Sequence, residues 1–151
     1  MTSGNWIKGM VAGFVATVVL SALMLMKAMM GVMPELNPIK MIADMLGAPP
    51  AVGWVMHFLI GTVLWGRLFA WLDPTVPGES HRPKGIVFAA GTWLIMMIAM
   101  MPMAGAGLFG AHLGMTASVM TLMLHLIFGA ALGGTYSLLL NREHARQHAH
   151  S

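Results

Sequence analysis

The chain contains no cysteine, so disulfide bonds, thiolate metal sites and cysteine nucleophiles are all excluded. Charge is nearly as scarce. Eight Lys and Arg and five Asp and Glu make 9% of 151 residues, against about a quarter in an ordinary soluble domain. So few charges cannot clothe a water-facing surface. Long apolar runs take their place: 58% of residues are hydrophobic and the mean hydropathy is +0.77. The composition reads as an integral membrane protein. The pI near 9.8 reflects a handful of charges and speaks to topology rather than to nucleic-acid binding.

Chemical signatures are also missing. The chain has no HExxH helix, phosphate-binding loop, dinucleotide glycine fingerprint or GxSxG elbow. Glu35 and Asp44 are the only acids on one side of the expected membrane, and neither lies in a confident span. Paired-carboxylate catalysis and an intramembrane carboxylate relay therefore have little support. The expectation is a protein that is not an enzyme.

What is present divides into four apolar stretches. They run from about Trp6 to Met30, Ala51 to Leu72, Gly85 to Met101 (stopping at Pro102) and Met115 to Leu140. Each approaches the roughly 20 residues that cross a bilayer as a helix. The first is too long for a signal peptide's apolar core and has no small-residue cleavage site after it. The expected fold is all-α, a membrane four-helix bundle over residues 1–140, followed by a short polar tail, 141–151, without fixed structure. Lys8, Arg82, Lys84, Arg142 and Arg146 fall on one side with Arg67 near it, and only Lys27 and Lys40 on the other. The positive-inside rule then puts both termini in the cytoplasm. Arg67 and Lys27 are expected to snorkel to opposite surfaces. In the outer loops, "NPIKMIADMLG" reads as a short helix capped by Asn37, with Pro38 in its first turn and Gly47 at its stop. Its Ile39, Ile42, Met45 and Leu46 are placed to lie on the membrane surface. The glycine-rich "AGAGLFGAHLG" is expected to pack against protein.

Two stretches look like one idea written twice. "MHFLIGTVLWG" (56–66) and "LHLIFGAALGG" (124–134) each set a histidine in an apolar run, a glycine four residues later and another five beyond. "KGMVAG" and "KGIVFAAG" likewise open the first and third stretches. Together they suggest a duplicated two-helix hairpin, its halves parallel about an axis along the membrane normal. Small residues recur every four positions: Gly9, Gly13, Thr17 and Ser21; Gly53, His57 and Gly61; Thr121, His125, Gly129 and Gly133. Such stripes let backbones come close, and beside a histidine they also leave room for a planar ligand.

His57 and His125 therefore have two readings. As fasteners, they hydrogen-bond a neighbouring helix, with Ser21, Thr17 and Thr121 as candidate partners. As ligands, they meet at a common axis and bind through their rings. Two cofactors suit the second reading. Haem b takes two axial imidazoles. Cu(I) takes imidazole with soft thioethers, with Met24, Met56, Met97 and Met123 at similar depth. Of 18 methionines, all but Met1 and Met10 fall in the outer half, although methionine also serves as an adaptable apolar filler. His112 either joins a metal cluster or touches water. His144, His148 and His150 in the tail carry no functional weight.

The segments "KGMVAGFVATVVLSALMLMK", "MHFLIGTVLWG", "MPMAGAGLFG" and "VMTLMLHLIFGAALG" resemble an uncharacterised family of small bacterial four-span membrane proteins, over nearly the whole chain. The resemblance implies a helical inner-membrane fold and no established activity. Function is thus expected to be that of a binding or accessory subunit, with a small transporter or a purely structural subunit as alternatives. The expected surroundings are the bilayer, other membrane subunits or further copies of the chain.

Overall fold

The structure, a computed structural model, describes residues 3–149. Among them the chain is helical and has no strand. Five helices account for nearly all of it: α1 (Ser3–Met29), α2 (Pro38–Met45), α3 (Pro50–Leu72), α4 (His81–Met103) and α5 (Met115–Ala149). All but α2 are long and apolar enough to cross a membrane. Only 28–39% of the most apolar window of each is buried within the molecule. The remaining apolar surface, for example Phe14, Val55, Ile95 and Leu138, suits lipid. Four crossings bring both chain ends to one end of the bundle, called here the terminal end.

Glycine sets how the helices meet. A methyl group on Gly9 would overlap the Gly66 carbonyl, and one on Gly13 would overlap that of Gly61. Gly61 in turn lies against the Thr17 hydroxyl. The small-residue stripe of α1 is thus a backbone-to-backbone seam with α3. The same arrangement joins α4 to α5, where Gly85 meets the Gly129 carbonyl and Gly133 meets that of His81. α1 also packs along α5, whereas the backbones of α3 and α4 stay apart and meet through rings: Trp65 and Phe69 against Phe88, at centroid distances of 6.1 and 5.4 Å.

The core has two parts. Near the terminal end Phe69, Phe88, Phe128, Leu132 and Tyr136 are buried with alanines of α1 and α4. Near the far end Leu36, Met97, Met101, Ala106 and Ala117 are buried together. Ala106 brings the glycine-rich loop onto protein, as expected, although Leu108 and Phe109 remain exposed.

α2 forms where its signals lie. The Asn37 side chain accepts from the Lys40 N–H at 3.0 Å, Pro38 occupies the first turn, and Gly47 follows in a left-handed conformation (φ +61°). Its apolar face differs from expectation. Ile39 is buried against α3, because Gly53 has no side chain to hold the Ile39 carbonyl away. Only Met45 and Leu46 of the expected surface residues are well exposed.

Other details also depart from the sequence reading. The third span begins at His81 and runs past Pro102 to Met103. The residues of the tail that are described do not unravel: α5 continues through them to Ala149, with Glu143 accepting from Lys8 of α1. The composition of this stretch allows it, since Arg142, Glu143, Ala145 and Arg146 are all good helix formers. His150 lies outside the described residues. Lys27, instead of simply reaching outward, donates to the carbonyls of Val32, Met33 and Leu36 at 3.0, 2.9 and 2.8 Å. It thereby ties the loop after α1 to the last turn of that helix.

Candidate functional site

A chamber of about 270 Å³ lies between the two parts of the core, walled by all four long helices. α1 contributes Thr17, Leu20 and Met24. α3 contributes His57, Ile60, Gly61, Leu64 and Trp65, and α5 contributes Thr121, Leu124, His125 and Phe128. These spacings are the single face of a helix. Pro38 and Ile42 of α2 close the far side. The two histidines set apart by the sequence thus line one chamber.

Their hydrogen bonds assign the protons. Ser21 Oγ donates to the Thr17 carbonyl at 2.7 Å, which uses its only proton. The His57 Nε2, 3.2 Å from the same oxygen, must therefore donate to it. His57 in its neutral form then carries its lone pair on Nδ1. His125 donates from Nδ1 to the Thr121 carbonyl at 2.8 Å, which leaves the lone pair on Nε2. Fixing one ring nitrogen through a carbonyl or hydroxyl is how metal-ligating histidines are commonly oriented. The same bonds also serve as fasteners: His57–Ser21 ties α3 to α1, while His125–Thr121 stays within α5. The Thr121 hydroxyl accepts from Trp93 Nε1–H of α4 at 3.1 Å.

Two wide π turns border the chamber, Ile60–Trp65 in α3 and Met96–Met100 in α4. In the first the Gly66 N–H reaches back to the Gly61 carbonyl, and in the second the Met101 N–H reaches the Met96 carbonyl. The second has a local cause. Pro102 has no N–H for the carbonyl of residue 98 and its ring crowds that carbonyl, and a wider turn makes room. Single π turns in α-helices occur often at functional sites.

The methionines fall differently from their sequence depth. Met24 lines the chamber, as do Met96 and Met100, which the sequence had not singled out. Met97 points away into the far-end core and is fully buried. Met56 is not among the lining residues, and Met123 is 57% exposed on the outside. Of the small residues, Gly61 lines the chamber wall; Gly9, Gly13, Gly129 and Gly133 form the helix seams, and Gly53 seats α2. His112 donates from Nδ1 to the Gly105 carbonyl at 2.9 Å. Among the described residues no group of three or more His, Asp and Glu is placed to hold a metal ion.

A polar cluster at the terminal end had no sequence forecast. Asp73, buried at the close of α3, accepts from His81 Nδ1–H at 2.8 Å. Lys84 donates to the Asp73 carbonyl at 2.9 Å, and the His81 ring stands edge-on to Tyr136 at 5.4 Å. The cluster joins the end of α3 to the start of α4. An aspartate before a loop and a histidine eight residues later offer no periodic signal.

A family model described as "Family of unknown function (DUF6789)" matches residues 3–147. No curated protein and no solved structure matches the chain.

Proposed function

We propose a binding function for this chain, which belongs to the family of unknown function DUF6789: it is a small multi-pass membrane protein that holds Cu(I) in the chamber between its spans. The observation that carries this reading is that His57 and His125, each with one ring nitrogen outside its hydrogen bond, line one chamber together with Met24, Met96 and Met100. Imidazole and thioether are the donors that suit Cu(I). Among the described residues, the two imidazoles are the only ionisable groups that line the chamber, which favours binding over enzymatic acid–base work.

Haem b fits less well. The chamber, at about 270 Å³, falls below the roughly 300–1,000 Å³ of sites for drug-sized ligands, and a macrocycle would have to part the helices. The duplication belongs to the same reading. The contacts of Gly13 with Gly61 and of Ala89 with Gly129 support it as one pair of matching positions. On this reading His57 and His125 are equivalent residues of the two copies. The surrounding assembly is a bacterial inner membrane with the termini cytoplasmic, and the chain acts there alone, in copies, or as an accessory subunit.

Elemental analysis and an absorption spectrum of protein purified from native membranes test the proposal. The expected result is stoichiometric copper in a colourless reduced protein, lost in His57→Ala and His125→Ala. A Soret band that vanishes in the same variants would replace copper by haem. Neither metal nor band, with both variants still folded, would end the ligand reading and leave the histidines as helix fasteners. Copper-free protein that carries solute across liposomes would favour a transporter.

A further inference from the structure

A second cavity, larger than the chamber, is a lipid-facing groove of about 660 Å³ along the outer side of α3. Leu59, Val63, Leu64 and Leu68 form its apolar floor, and Trp6, Arg67 and Trp71 stand toward its terminal end. The Arg67 guanidinium lies 4.3 Å over the Trp6 ring. No carboxylate among the described residues pairs with it: the ion pairs at this end take up Glu143 with Lys8, and Asp73 with His81 and Lys84.

We infer that this groove is a binding site for one anionic phospholipid, with its acyl chain on the α3 floor and its phosphate on Arg67. Three features agree on that occupant. From Leu59 to Leu68 the helix rises about 14 Å at 1.5 Å per residue. One leaflet's hydrocarbon is about 15 Å deep, half of about 30 Å, so the floor has the length of a single leaflet. Tryptophans at one end mark the headgroup level. A guanidinium stacked on an indole keeps its in-plane N–H groups available for two parallel bonds to phosphate oxygens. With no carboxylate competing, a net negative headgroup gains the whole attraction, whereas a zwitterionic one brings its own cation.

The groove shares only the apolar Ile60 and Leu64 with the chamber wall. Its test is native mass spectrometry of the full chain in detergent, with phosphatidylglycerol and phosphatidylcholine of identical acyl chains offered in competition. One basic residue at a membrane surface is worth a factor of about 5 toward an anionic lipid. The expected result is a preference for phosphatidylglycerol of about that size. It should fall to parity in Arg67→Gln, be partly kept in Arg67→Lys, and be unchanged in Arg82→Gln, which lies off the groove. Circular dichroism checks that each variant is folded, and Arg67→Lys carries the test if Arg67→Gln is not. Equal binding of both lipids by the wild type, or a preference that survives in Arg67→Gln, overturns the assignment. So does a dimer lost in Arg67→Gln without any lipid preference, which would give the groove to a second copy of the chain.

Discussion

At the scale of single residues, His57 and Met97 show how far a sequence carries. Ser21 was a foreseeable partner for His57, because both sit at one depth on neighbouring stripes of small residues, and they do bond. Replacing Ser21 with Ala should lower stability by about 0.6 kcal/mol and by no more than about 1.7, the average and the maximum measured for hydrogen bonds between membrane helices. Unfolding in a graded detergent mixture checks this, and a loss far above that maximum would mean that the pair is not an ordinary fastener. His125 was less legible. Its partner is the carbonyl of Thr121 rather than the hydroxyl, and any helix offers a carbonyl. Met97 shared the histidines' depth but not their direction. Successive helical residues point about 100° apart, so depth alone could not separate Met97 in the core from Met96 on the chamber wall. Met97→Leu, which nearly conserves volume, should cost less than about 1.5 kcal/mol, and Met97→Ala about 2–5 kcal/mol. Neither should alter the copper content. Copper lost in a folded Met97→Leu protein would return this thioether to the ligand set.

At the scale of elements, the four spans and α2 were readable because each is announced by composition or by a cap. The π turns were not. A proline in an apolar run marks disturbance, but whether the helix stops, kinks or widens depends on what packs around it, and here α4 continues two residues beyond the expected stop. The glycine seams give a sharper prediction. Gly85→Ala places a methyl group against the backbone of α5, which cannot rotate aside, and should destabilise by about 1–3 kcal/mol through overpacking. Gly91, in the same helix, has nothing within 4 Å of such a methyl. Gly91→Ala should be neutral, or stabilising by up to about 1 kcal/mol through helix propensity. Thermal unfolding of the two variants side by side decides it, and equal effects would disprove the seam.

At the scale of the whole molecule, the proposed sidedness rests on charge. The cysteine-free chain makes this measurable, since any introduced thiol is unique. In intact cells, a membrane-impermeant maleimide should label Lys40→Cys, while Glu79→Cys should react only after permeabilisation. The opposite pattern would invert the topology. The joints between helices also have a mechanical consequence. α1 and α5 lie along one another, α3 is seamed to α1 and α4 to α5, while α3 and α4 touch through rings and, at the terminal end, through the bonds of His81 and Lys84 to Asp73. The molecule is therefore a book: α1 and α5 are the spine, α3 and α4 the covers, with His57 on a cover and His125 on the spine. Opening it breaks no glycine seam but must part the aromatic clasp, about 0.5–1.5 kcal/mol for each ring pair beyond its buried area, and strain the Asp73 bonds to His81 and Lys84. Spin labels on the covers, at Val63→Cys and Ile95→Cys, should thus report a broader range of distances than labels on the spine at Val18→Cys and Ile127→Cys. Equal widths would mean a bound volume, and whatever occupies its pages would have to be inserted before the covers close.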